Sequence, residues 1–273
     1  MTDNENIERL ADQQAPEEDL SGLLPIDEHV EEVSENGRPV RRKGIFLLPN
    51  LLTTGGLFCG FFAIVSTMND KFEAGAIAIF IAMLLDGLDG RVARLTNTQS
   101  AFGAEYDSLS DMVSFGIAPS LLVFGWSLAP LGKIGWAAAF IYVAGAALRL
   151  ARFNTQVETA DKRYFTGLAS PASAAVAAAI VWSWHDMGAE VGIQVAVISA
   201  VVLAILGMLM VSNIRYQSFK GIDFRGRVPF VAMLAIILVF VVVLIDPPKV
   251  LLAAFLVYAA SGPVARLLAF KKK

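Results

Sequence analysis

The chain has 273 residues, 56% of them hydrophobic and 17% charged, with a net charge of -3. Asp3 to Glu35 holds 12 of the 25 acidic residues beside one basic residue, Arg9, so from Phe46 onward the balance turns to 17 Lys and Arg against 13 Asp and Glu. That balance argues against nucleic acid as a partner, and a single cysteine, Cys59, excludes an internal disulfide and gives no sign of a thiolate metal site.

Residues 1–37 are polar, acidic and poor in aromatics, which predicts a disordered cytoplasmic tail. The first 43 residues lack the apolar stretch of a cleaved signal peptide, so the first hydrophobic run is expected to be the first membrane anchor. Arg38 to Phe46, basic and then apolar, predicts a short interfacial lead-in. Eight apolar runs follow: Phe46 to Met68, Ala74 to Leu95, Asp107 to Ala129, Ile134 to Phe153, Gly167 to Trp184, Gly192 to Ser212, Pro229 to Ile245 and Val250 to Phe270. A membrane-crossing helix needs about 20 mostly apolar residues. These runs lack the two-residue alternation of a barrel strand, and in lipid each segment must satisfy its own backbone hydrogen bonds. The expected fold is an all-α integral membrane protein of about eight transmembrane helices.

Charge orients the helices. Arg38, Arg41, Arg42, Lys43, Arg91, Arg94, Arg149, Arg152, Lys162, Arg163, Arg215, Lys220, Arg225, Arg227, Arg266 and Lys271 to Lys273 fall on one side, against Lys71, Lys133 and Lys249 on the other. This bias predicts that both termini and the long basic loops are cytoplasmic. Topology and attraction to anionic lipid account for most of these charges taken singly.

Four aspartates interrupt this pattern. Asp86 and Asp89 fall near the cytoplasmic end of the second run, and Asp107 and Asp111 near the start of the third, so all four lie at similar depth. Spacings of i,i+3 and i,i+4 put each pair on one helix face, and Gly90 and Ala93 extend the first face. Four ionised carboxylates gathered near apolar surroundings must take up protons or hold cations. An all-oxygen set suits a hard cation such as Mg²⁺ or Mn²⁺. Intramembrane acids also line ion pathways. A pathway spreads its charges over depth, however, whereas these cluster at one level beside Arg91 and Arg94, which favours a metal and a phosphorylated ligand. Gly87, Gly90 and the Gly56 to Gly60 stretch also have a plain reading as small residues that let helices pack.

The pattern Asp86-x-x-Asp89-Gly90-x-x-Ala93-Arg94, eight further residues, then Gly103-x-x-x-Asp107-x-x-x-Asp111, resembles the signature of the CDP-alcohol phosphotransferase family, with every position filled. The resemblance implies a core of six membrane helices within residues 38–212, leaving a basic loop and two additional helices in residues 213–273. It implies attack of an acceptor hydroxyl on the β-phosphorus of a CDP-alcohol, with CMP leaving. Two divalent cations are implied, Asp86, Asp89 and Asp107 holding one and Asp86, Asp107 and Asp111 the other, with Asp111 also the general base. Arg94 would pair with phosphate oxygens, and Gly90, Ala93 and Gly103 would offer a surface without side-chain bulk to the nucleotide. Asn50 and Thr53 in "LPNLLTT" resemble a family position near that nucleotide.

Further stretches, among them "SDMVSFGIAPS", "LRLARFN", "FTGLASPAS" and "VSNIRYQSFKG", are similar to the membrane-embedded bacterial phosphatidylserine synthases. That family implies CDP-diacylglycerol and L-serine as substrates, an enzyme in the bacterial inner membrane with a cytoplasmic active site, and a homodimer surrounded by membrane lipid. A zwitterionic acceptor needs a cation for its carboxylate. Arg149, Arg152 and Arg215 are candidates, although each also serves topology. Ser170 could shape the acceptor pocket, while Pro171 beside it could simply start or kink a helix. Glycerol 3-phosphate or inositol phosphate acceptors would use basic residues too.

Overall fold

The computed structural model describes residues 30–35, 38–43, 47–96, 98–156, 164–217 and 230–271. The chain divides into two units, Met1–Ile45 and Phe46–Lys273. In the first, β1 (Val30–Glu35) pairs antiparallel with β2 (Arg38–Lys43) in a register that sets Glu31 opposite Arg42, Glu32 opposite Arg41 and Glu35 opposite Arg38. This hairpin replaces the end of the expected disordered tail and most of the expected interfacial lead-in. Opposite charges at facing positions favour such a pairing, and the intervening Asn36-Gly37 is by sequence a hairpin dipeptide. The rest of the tail lies outside the described residues.

The second unit contains, among its described residues, eight helical rods: α1 (Leu47–Met68), α2 (Phe72–Leu95), α3 (Ala101–Leu131), α4 (Lys133–Gln156), α5 (Ser170–Asp186), α6 (Ile193–Val211), α7 (Phe230–Ile245) and α8 (Pro247–Lys271). Each falls on one of the eight apolar runs. The protein is an all-α membrane protein, in which α1, α3, α4, α6 and α8 are long and apolar enough to cross a bilayer. α2 has the length, but Glu73, Asp86, Asp89, Arg91 and Arg94 break its apolar character. α5 and α7 have 17 and 16 residues. A short ladder of β3 (Tyr164–Thr166) and β4 (Arg215–Gln217) joins the chain before α5 to the chain after α6.

α3 is not a uniform helix. It starts at Ala101, a turn and a half before the expected Asp107, because Ser100 caps it by accepting from the Gly103 amide at 3.0 Å. Two wide π turns, Met112–Ile117 and Phe124–Leu128, interrupt it. Pro119 has no amide hydrogen to offer the Phe115 carbonyl one turn back, and the buried Tyr142 hydroxyl of α4 donates to that carbonyl instead, at 3.0 Å.

Small residues bring the helices together. α1 and α3 meet where Ser114 donates to the Gly56 carbonyl at 3.0 Å and Ser110 to the Thr53 carbonyl at 3.2 Å. A Cβ on Gly60 would lie 2.5 Å from the Ser114 hydroxyl oxygen, so the packing reading of the Gly56 to Gly60 stretch holds. Gly87 differs, because a Cβ there would meet nothing within 4 Å. α5 is the buried spine, an alanine-rich helix whose Ala174 to Ala179 are at most 1% exposed. Large apolar side chains such as Phe58, Phe61 and Leu238 point outward instead, as expected of surfaces that face lipid.

Candidate active site

The α2–α3 hairpin brings the aspartates together as their spacing predicts. Asp86, Asp89 and Asp107 each offer an oxygen within 4.8 Å of the other two. Asp111 is hydrogen-bonded to Asp86, with Asp107 and Arg149 as its other charged neighbours. Asp89 is 5% exposed and accepts from the Thr53 hydroxyl of α1 at 2.8 Å. A donor set of carboxylate oxygens, drawn from two helices and oriented by a third, fits a hard divalent cation.

Beside this cluster opens a groove of about 310 Å³, lined by Pro49, Asn50 and Thr53 of α1, Asp89, Gly90, Ala93 and Arg94 of α2, Thr98 to Ser100 of the connection, and Gly103, Ala104 and Asp107 of α3. The size is at the lower end of small-molecule pockets. All six residues expected at a nucleotide (Asn50, Thr53, Gly90, Ala93, Arg94 and Gly103) face this one space. A Cβ on Gly90 would meet only the Arg94 guanidinium, 3.7 Å away, so at this position the wall is open rather than packed. Pro49, Thr98, Gln99, Ser100 and Ala104 were not singled out by sequence. The three in the connection acquire their place only when the hairpin closes, although a serine just ahead of a helix was a readable cap.

The candidate acceptor residues gather at another corner. Arg149, near the end of α4, donates through a terminal nitrogen to Ser170, the first residue of α5, and its Nε is buried without a hydrogen-bond partner among the described residues. Asp111 and Asp86 lie within electrostatic range of this guanidinium, which connects the corner to the carboxylates. Arg152 donates to Asn213 at 3.3 Å, and Arg215 pairs with Thr166 in the β3–β4 ladder. Both are more open to solvent than Ser170, which is fully buried.

The chain matches the CDP-alcohol phosphatidyltransferase family over residues 46–213. It is 38% identical over 217 residues to a CDP-diacylglycerol–serine O-phosphatidyltransferase of Helicobacter pylori, covering 78% of this chain and 90% of that protein. A Bacillus subtilis protein of the same name is 32% identical over 173 residues, 63% of this chain and 91% of the relative. An archaetidylserine synthase of Methanothermobacter thermautotrophicus is 33% identical over 176 residues, 64% and 71% of the two chains. The match spans α1 to α6, the helices that carry the carboxylates, the groove and Arg149, and the chain belongs to the CDP-alcohol phosphatidyltransferase family.

Proposed function

We propose that this protein transfers the phosphatidyl group of CDP-diacylglycerol to the hydroxyl of L-serine, giving phosphatidylserine and CMP in phospholipid biosynthesis. The observation that carries the reading is the groove in which all six nucleotide positions run onto the aspartate cluster. Serine as acceptor draws on the names of the relatives from two bacteria and an archaeon.

The cytidine diphosphate lies against the bare surface of Gly90, Ala93 and Gly103, near Asn50 and Thr53, with Arg94 on phosphate oxygens. Asp86, Asp89 and Asp107 would hold one divalent cation and Asp86, Asp107 and Asp111 a second, Mg²⁺ or Mn²⁺. When bound, these cations neutralise the charge that builds on the pyrophosphate. Asp111 accepts the proton of the serine hydroxyl as its oxygen bonds to the β-phosphorus and the bond to the CMP oxygen breaks. General-base help of this kind typically contributes about 10²–10⁴-fold. Arg149, with Ser170 beside it, receives the serine carboxylate, and Arg152 and Arg215 add positive potential. The charge bias supports the cytoplasmic face of a bacterial inner membrane as the place of this chemistry, and the family resemblance supports a homodimer.

The test is CMP release by purified protein in detergent, with CDP-diacylglycerol and Mn²⁺ or Mg²⁺, with and without L-serine, beside Asp111→Asn. Release that needs serine and is lost in the variant supports the proposal. Release that needs glycerol 3-phosphate or inositol phosphate replaces the acceptor and keeps the chemistry. No release with any acceptor from folded protein overturns the reading in favour of ion transport by the carboxylates.

A further inference from the structure

Asp111 is the last residue of the regular stretch Ala101–Asp111, and the wide turn Met112–Ile117 begins at the next residue. The turn closes when the Ala118 amide donates to the Val113 carbonyl, five residues back rather than four. Pro119 follows directly. In an ordinary helix its ring would strike the Phe115 carbonyl four residues back, and it has no amide hydrogen to give that carbonyl. The donor comes instead from α4: Tyr142, 0% exposed, gives its hydroxyl proton to the Phe115 carbonyl at 3.0 Å.

On its other side the turn is gripped by α1. Ser114 donates to the Gly56 carbonyl at 3.0 Å, and a Cβ on Gly60 would lie 2.8 Å from Ser114 Cα, so α1 leaves Ser114 little room to move. α4 is as close: a Cβ on Gly116 would come within 3.3 Å of the Ala146 Cβ. Two side-chain hydrogen bonds, one given to α1 and one received from α4, therefore set the course of the chain directly after Asp111.

We infer that Tyr142 is a positioning residue for the general base: by holding the Phe115 carbonyl it keeps the turn wide, and the width of the turn sets the angle at which Asp111 enters the aspartate cluster. The inference rests on Asp111 being that base. A regular helix turns about 100° per residue, so closing the same residues into an ordinary helix would rotate the two ends of the rod against each other by about that much. Asp111, at the edge of the turn, is the first functional side chain to feel the rotation. A base acts only within hydrogen-bond reach of its proton, and a misplacement of about 1 Å can cost about 10²-fold in rate.

The experiment measures Tm, and kcat and KM for CDP-diacylglycerol from CMP release, with the purified full chain in detergent at saturating L-serine and metal. It compares the unsubstituted protein, Tyr142→Phe, Tyr142→Phe with Pro119→Ala, and the control Ser120→Ala. Ser120 makes another buried α3–α4 bond, to the Ala139 carbonyl at 2.9 Å, but beyond the wide turn. Tyr142→Phe should lower kcat about tenfold and leave KM for CDP-diacylglycerol unchanged, because the residues lining the groove all precede the turn. Ser120→Ala should lower Tm and leave kcat in place. Adding Pro119→Ala gives the Phe115 carbonyl an amide donor, so Tm should recover while kcat stays low in a turn closed at the ordinary pitch. The double substitution carries the same kcat test if Tyr142→Phe alone does not fold. In an Asp111→Asn background Tyr142→Phe should cost less than about twofold, since two residues acting through one carboxylate are not additive. Unchanged kcat in Tyr142→Phe, recovery of kcat with Pro119→Ala, or the same tenfold loss in the Asp111→Asn background would overturn the inference. Full turnover by Asp111→Asn alone would overturn the base reading itself, a result distinct from any of these.

Discussion

Thr53 on α1 donates its hydroxyl to the Asp89 carboxylate on α2 at 2.8 Å, across 36 positions of sequence. The Pro49 carbonyl, 3.2 Å from the same hydroxyl, competes for its single proton. The bond restrains the Asp89 carboxylate, which has an oxygen within 4.8 Å of one on each of Asp86 and Asp107. Partners that orient metal ligands are typically worth about 10–100-fold in metal affinity or activity. Thr53→Val should therefore raise the Mn²⁺ concentration needed for half-maximal CMP release by about tenfold. Thr53→Ser, which keeps the hydroxyl, should restore it.

The carboxylates are expected to separate by role. Asp111→Asn should cut turnover by about 10²–10⁴-fold, as expected for loss of a general base. Asp89→Asn should instead lose activity that excess metal partly recovers, because Asp89 is proposed as a metal ligand alone, whereas Asp111 is proposed as the base as well as a ligand. A metal titration of CMP release for both variants separates the two behaviours, and identical metal curves would contradict the assignment.

Arg94 stands at the rim of the groove, with its guanidinium 3.7 Å from the position a Gly90 side chain would take. Arg94→Gln should raise KM for CDP-diacylglycerol by about tenfold, the scale of a charge-assisted hydrogen bond, and leave KM for serine nearly unchanged. A steady-state comparison of the two substrates checks this. Arg94→Lys should recover only part of the loss, since a point charge replaces a planar fork.

Two glycines should respond oppositely to a methyl group. Gly60→Ala would set a carbon 2.8 Å from Ser114 Cα, and overpacking of this kind costs about 1–3 kcal/mol. Gly87→Ala meets nothing within 4 Å and removes a flexible residue from a helix, which should leave stability level or raise it by about 0.5–1 kcal/mol. Thermal unfolding in detergent measures both.

Much of this architecture was legible in the sequence because lipid leaves an apolar run few options. All eight runs became helices, and boundaries moved by only a few residues except in α3. That helix begins in "AFGAEYDSLSD", whose polarity hides it from any search for apolar stretches, and Ser100 was the cap that could have revealed it. The aspartates and the groove-lining glycines were readable because their spacing places them on facing helix surfaces. Pro49 and Thr98 were not, since their position depends on how α1 and the α2–α3 connection close over each other. The bond from Tyr142 to Phe115 was also hidden: an aromatic hydroxyl bonded to a backbone carbonyl 27 positions away leaves no periodic mark. The β1–β2 hairpin was obscured by reading its acidic half as a solvated tail, separate from the basic half opposite.

The wide turns of α3 give this helix spare length. A regular α-helix turns about 100° per residue, so removing one residue between Ala101 and Asp111 would swing Asp107 away from Asp86. Removing one residue within Met112–Ile117 could instead be absorbed by tightening that stretch to the ordinary pitch, leaving both ends of the rod in register. Loss of a residue is thus survivable on one side of Asp111 and ruinous on the other, and length variation among related chains should collect in the wide turns while the carboxylate-bearing segment keeps its count.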